Sequence, residues 1–204
     1  LDRIAVVIPC HGRERLAERV IDYHSRMPGV LVVANWRDTQ PLGKKFNQSF
    51  EYLKEKRPDI IGAMIVGSDD LIHEQYFQHI RNTLPLYTEL ARCLYYNGET
   101  GDMQCTNGME SGAGKYFSNE FLARCDYQPY VGTLERNVDR GPKRFLAPQY
   151  ERLSIDIPWI IDIKGPESMW GWDHAVGQRG TYEVDAYQAF KEFGLDEPMW
   201  RGLV

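Results

Sequence analysis

The sequence predicts a doubly wound α/β fold, with one central, mostly parallel sheet flanked by helices. Three apolar runs, Ile4–Ile8, Val30–Asn35 and Ile60–Val66, are continuous and rich in β-branched residues, the pattern of strands covered on both faces. Two stretches with apolar residues at helical spacing separate them, giving the order strand, helix, strand, helix, strand. In such sheets ligands bind beyond the carboxyl ends of the strands.

Arg3 to Pro9 is the first strand; Pro9 stops it and leaves Cys10-His11-Gly12 as a loop. Arg13 to Met27 is helical, with Leu16, Val20, Ile21 and either Tyr23 or His24 facing inward. Pro28-Gly29 turns the chain into the second strand, Val30 to Asn35. Gly43 to Lys56 is a second amphipathic helix, with Phe46, Phe50 and Leu53 on one stripe and Pro58 beyond its end. Ile60 to Val66 is the third strand and Glu74 to Leu84 a third helix. Further on, Leu94-Tyr95-Tyr96 reads as a strand. Gly112 to Phe117 is a Gly-rich approach to a helix from Asn119 to Cys125, capped by Ser118. Residues 128 to 150 read as loop with a short helix, and Ile155 to Lys164 as a strand pair or one strand bent at Pro158. Gly165 to Gly180 is irregular, and the last helix runs from Tyr182 to Phe193, packing Tyr187 and Phe190. No repeat or low-complexity linker divides residues 1–204, so they read as a single domain.

With 43% hydrophobic and 26% charged residues, the 204-residue chain can bury a substantial core. A net charge of −5 excludes a strongly basic nucleic-acid footprint, though not a local basic patch. The four cysteines form neither a C-x-x-C pair nor a zinc spacing, so they read as free buried thiols of a reducing compartment. No stretch is long enough to span a bilayer and no signal-peptide pattern opens the chain, which predicts a cytoplasmic protein without membrane partners.

Ser68-Asp69-Asp70 follows the third apolar run. Two adjacent carboxylates repel each other unless a cation or hydrogen bonds compensate, and hard oxygen ligands suit Mg²⁺ or Mn²⁺. A helix cap or loop start is the competing reading. Cys10-His11-Gly12 and Asn35-Trp36-Arg37 fall at strand ends on the same rim.

Taken in order, these segments resemble GT-A-type glycosyltransferases. Val6-Val7-Ile8-Pro9-Cys10-His11-Gly12-Arg13 is similar to their opening strand and loop. Leu42-Gly43-Lys44-Lys45-Phe46-Asn47 resembles the segment between their second and third strands, and Gly67-Ser68-Asp69-Asp70 their metal-binding D-x-D element, without an acid at position 68. Ser111 to Ser118 resembles the Gly-Ala-Gly segment before the acceptor-side helix of small bacterial and phage members. The likeness covers about the first 125 residues. It implies a GT-A-like, Rossmann-like fold, with a nucleotide-sugar-binding half to about residue 90 and an acceptor-binding half beyond. It also implies a nucleotide-sugar donor (UDP-sugar favoured), Mn²⁺ or Mg²⁺, and an acceptor of the kind phage members use, a hydroxymethylated pyrimidine in DNA within the host cytoplasm.

On this reading Pro9, His11, Arg13, Asn35, Lys44, Asn47, Ser68, Asp69 and Asp70 bind the donor, and Asp70, Asp69 and a late histidine, His174, hold the metal. For His11, Arg13, Lys44 and Asn47 a solvated surface is the alternative. The base of an inverting transfer must be a carboxylate aimed at the acceptor oxygen; Asp139 is the first candidate and Glu135 the second, in a segment that also reads as a charged loop. Gly114 and Lys115 fall to the acceptor side, and Trp170 and Trp172 suit a stacking platform, with a core Trp pair as the alternative. Met109 to Tyr116 overlaps a Walker A loop but lacks its first Gly and its metal-binding hydroxyl. A nucleotidyltransferase would also use a strand-end acid pair, and a non-catalytic sugar- or nucleic-acid-binding module would use the tryptophans alone.

Overall fold

The computed structural model describes residues 2–38, 41–106, 112–130, 142–145, 153–166, 168, 171–177 and 180–204. Its first strands and helices follow the predicted order: β1 (Arg3–Pro9), α1 (Glu14–Ser25), β2 (Val30–Asn35), α2 (Leu42–Lys56), β3 (Ile60–Ile65), β4 (Asp70–Ile72) and α3 (Glu74–Thr83). Next come β5 (Tyr87–Leu90), β6 (Leu94–Asn97), β7 (Met103–Thr106), β8 (Lys115–Ser118) and α4 (Asn119–Arg124). The remainder holds β9 (Leu153–Ile155), β10 (Ile160–Lys164), α5 (Trp172–Gly177), β11 (Thr181–Glu183) and α6 (Ala186–Glu192), with 3-10 turns at Pro142–Phe145 and Glu197–Met199.

Two mixed sheets form. The six-stranded sheet has the order β2-β1-β3-β8-β5-β9, and β1, β2 and β3 are mutually parallel as expected. β8 runs antiparallel to both β3 and β5. The five-stranded sheet has the order β11-β7-β6-β10-β4 and is mostly antiparallel, with β6 and β10 as its parallel pair. Strands from late in the chain thus complete the first sheet, and β4 from early in the chain edges the second.

β1 shows why the first sheet is double-sided. Ile4, Val6 and Ile8 enter one apolar core with Leu16, Ala17 and Val20 of α1, whereas Ala5 and Val7 enter another with Phe46, Phe50 and Leu53 of α2. Alternate side chains of a strand point to opposite faces, so the two helices cover opposite sides. Ser118 caps α4 as expected, its hydroxyl accepting from Phe121 N at 3.1 Å. All four cysteines are buried and none forms a disulfide, and no helix among the described residues is long and apolar enough to cross a membrane.

Several local expectations are corrected. Lys115–Ser118 is a strand between β3 and β5 rather than a loop leading to a helix. The stretch expected to be irregular contains α5. The last helix begins at Ala186, because Asp185 caps it by accepting from Gln188 N at 3.0 Å, and Tyr187 therefore faces solvent while Phe190 is fully buried. His24, not Tyr23, is the fully buried inward residue of α1.

Candidate functional site

The turn after β3 folds the acidic pair back over the chain. Gly67 N donates to Asp70 Oδ2 at 2.7 Å, and a Cβ at Gly67 would lie 2.3 Å from that oxygen, so any larger residue there would push the Asp70 carboxylate out of place. Asp70 is part of β4, whose partner β10 places Asp162 directly opposite. Asp69 O accepts from Ile163 N at 2.8 Å, which fixes the turn against the same strand. Asp69, Asp70 and Asp162 each bring a carboxylate oxygen within 4.8 Å of the others.

Two cations attend this trio. Arg13 Nη2 lies 3.0 Å from Asp69 Oδ2, and Lys164 Nζ lies 2.7 Å from Asp162 Oδ2; all four side chains are largely buried. Arg13 holds a left-handed backbone (φ 43°) at the start of α1, a conformation that costs a non-glycine residue on the order of 1–2 kcal/mol. From there its guanidinium reaches both Asp69 and Ser168 Oγ, the latter at 3.1 Å. Ser168 Oγ also accepts from Gly165 N at 3.0 Å, so the loop after β10 is tied to the cluster. Lys164 lies over the Tyr95 ring, 5.4 Å from its centroid.

Among the described residues three carboxylates face two cations, and Asp162 Oδ1 is buried without a hydrogen-bond partner. Burial, with Asp162 and Asp69 nearby, pushes the Asp70 carboxyl well above the usual range against the pull of Lys164. Burial likewise raises Asp162 to about 6, with Asp69 adding to the rise and Lys164 opposing it. Burial alone would lower Lys164, but Asp162, Asp69 and Asp70 outweigh it and hold the ammonium above its ordinary value.

The other candidate residues are placed as follows. Pro9 ends β1 opposite Asn35 of β2, and His11 is exposed in the loop beyond. Asn35 Nδ2 donates to Lys45 O and Ser49 Oγ, so its side chain ties β2 to α2. Lys44 is exposed on α2, whereas Lys45 is buried and donates to Cys10 O at 2.6 Å. Asn47 is buried and exchanges hydrogen bonds with Tyr130 N and O. Ser68 is buried in the turn. Gly114 O accepts from Tyr76 Oη at 2.8 Å, and Lys115 is fully buried in β8. Trp172 and His174 lie on α5, and His174 does not join the carboxylate cluster. Glu135, Asp139 and Trp170 lie outside the described residues.

Asp162, Lys164 and Ser168 escape the sequence reading. The signal was faint: one acid within the apolar run Ile160-Ile161-Asp162-Ile163, with Lys164 on the same strand face two residues later. Beside them lies a cavity of about 410 Å³, walled by Lys164, Gly165, Trp172, Asp173, His174 and Glu99 among others.

No family model matches the chain, and no curated protein matches it in sequence. Solved structures do match its fold. S. aureus TarS (residues 1–349) superposes with a TM-score of 0.51 at 12% identity, over 79% of this chain and 60% of the TarS chain. A glycosyltransferase involved in the glycosylation of the major capsid of PBCV-1 superposes with a TM-score of 0.50 at 10% identity, over 78% of this chain and 93% of that one. This chain therefore spans less than two thirds of the TarS chain, and its architecture is a GT-A-like α/β fold.

Proposed function

We propose that the protein is a glycosyltransferase that moves a sugar from a nucleotide-diphosphate donor, UDP-sugar favoured, to a hydroxyl acceptor. The observation that carries this reading is the meeting of Asp69, Asp70 and Asp162 at the rim where β1, β2 and β3 end, in a fold of the GT-A kind.

The donor set fits a hard divalent cation: three carboxylates, more of them than the cations paired with them among the described residues, and a buried Asp162 oxygen without a hydrogen-bond partner there. Asp69, Asp70 and Asp162 would hold Mn²⁺ or Mg²⁺, which when bound offsets the charge that develops on a leaving diphosphate. His174, which lines the adjacent cavity with Lys164, is kept as a further candidate ligand.

The chain's own groups do the rest. Arg13 orients Asp69 and, from its constrained backbone, presents a guanidinium at the diphosphate position. The Pro9–Arg13 loop and the end of β2 at Asn35 are proposed to border the nucleoside, and Lys44, Asn47 and Ser68 are kept as further donor-side candidates. A base takes the proton of the acceptor hydroxyl as the new glycosidic bond forms and the nucleotide diphosphate departs. Asp139 is proposed for that role, then Glu135; Asp173 on the cavity wall is a third candidate. Gly114, Lys115, Trp170 and Trp172 belong to the acceptor side. DNA as acceptor draws no support from a chain of net charge −5.

A thermal-shift panel of UDP, GDP, CDP and ADP, with and without Mn²⁺, tests the reading. One nucleotide should raise the melting temperature only with Mn²⁺, and Asp70→Asn should erase the rise. No shift with any of the four would contradict it.

A further inference from the structure

The cavity beside the carboxylate cluster lies within the roughly 300–1,000 Å³ range of small-molecule sites. It shares a wall with the cluster. Lys164 pairs with Asp162, and the following loop is pinned by the Gly165 N and Arg13 hydrogen bonds to Ser168 Oγ. Val204 closes the back of that loop so tightly that a Cβ at Gly165 would lie 2.2 Å from Val204 Cβ.

We propose that this cavity is the acceptor site and that it selects an uncharged, hydroxyl-rich molecule, a glycoside, over polyanions; this rests on the glycosyl-transfer reading of the adjacent cluster. The selection follows from the wall. Glu99 and Asp173 are exposed carboxylates without an ion pair among the described residues. The Lys164 ammonium is committed to Asp162 and the Tyr95 ring, so it does not neutralise them. Ionised carboxylates only accept hydrogen bonds, so a fitting ligand must donate, as sugar hydroxyls do. A phosphate or carboxylate ligand cannot donate and meets like charge, which is specificity by repulsion. Trp172, half-buried and packed against the apolar core, offers a fixed ring against which the C–H face of a pyranose can lie.

The test is an NMR titration of the full chain in the presence of UDP and diamagnetic Mg²⁺, reading the Trp172 indole N–H, assigned with Trp172→Phe. The probes are neutral methyl glucoside, galactoside and mannoside, glucuronic acid as the anionic counterpart, and a single-stranded DNA oligonucleotide. At least one neutral glycoside should shift the Trp172 signal and bind about tenfold more tightly than glucuronic acid. The exposed double variant Glu99→Gln/Asp173→Asn should narrow that preference to about threefold or less. Glucuronic acid or DNA binding as tightly as every neutral glycoside would overturn the inference. So would silence of Trp172 towards all glycosides while UDP and Mg²⁺ still shift the Asp69 and Asp70 amides, and that outcome leaves the transfer reading standing. Silence of those amides towards UDP and Mg²⁺ would instead remove the reading beneath it.

Discussion

Two buried acidic clusters in this molecule are built to opposite rules. At Glu197, a single carboxylate accepts from the Tyr96 hydroxyl and lies 3.2 Å from Arg201, so acceptor and donors balance. At the rim, among the described residues, three carboxylates share two cations and one buried oxygen has no partner. Buried polar groups are ordinarily satisfied, and each exception asks for a reason. The Glu197 cluster ties the last turn to β6 and serves the fold. The rim cluster is costly to the fold, and a bound cation of the kind proposed above would offset that cost.

The contrast can be broken or sharpened by substitution. Lys164→Met removes the cation nearest Asp162 and should lower unfolding stability by about 3–5 kcal/mol in urea titrations. Adding Asp162→Asn should recover most of that loss; strictly additive effects would show that the two side chains are not coupled. Asp70→Asn should reduce turnover by about 10²–10³ while the melting temperature holds or rises, since a repelled buried charge disappears.

Acid probes the core at His24, over a pH range that the raised rim carboxyls share. Burial lowers His24 to about 4, with its hydrogen bond to Val20 O opposing the shift. Its unfolded value is near 6.5, so the unfolded chain binds more protons between these limits. The His24 contribution is full above about pH 6.5, falls as pH drops and levels below about pH 4, by about 3 kcal/mol in all, roughly half of it between pH 7 and pH 5. Asp162, raised to about 6, and Asp70, raised well above the usual range, take up protons in the folded state over the same window and oppose that loss. It should therefore show in full only in the double variant Asp70→Asn/Asp162→Asn and be partly masked in the unmodified protein and in Glu197→Gln. The smallest effect is expected at the balanced cluster. Glu197→Gln should cost about 1–3 kcal/mol of stability and leave turnover unchanged, the reverse of Asp70→Asn.

The first three strands and two helices were legible because their signals are local. Ile4–Ile8 is apolar throughout, and Phe46, Phe50 and Leu53 mark one helix face. β5, Tyr87-Thr88-Glu89-Leu90, and β8, Lys115–Ser118, were not legible: each is four residues long, carries polar residues, and is defined by partners distant in sequence. Half of the candidate site followed the same division. Asp69 and Asp70 announce themselves as neighbours, whereas Asp162 joins them only through the antiparallel pairing of β10 with β4, which no local pattern encodes.

The most direct measurement is Mn²⁺ binding in the presence of UDP, followed by calorimetry, for the unmodified protein, Asp162→Asn and Glu197→Gln. Binding should weaken at least about tenfold in Asp162→Asn and stay unchanged in Glu197→Gln. Equal affinity in Asp162→Asn and the unmodified chain, or no Mn²⁺ binding in either, would contradict a cation site at the rim.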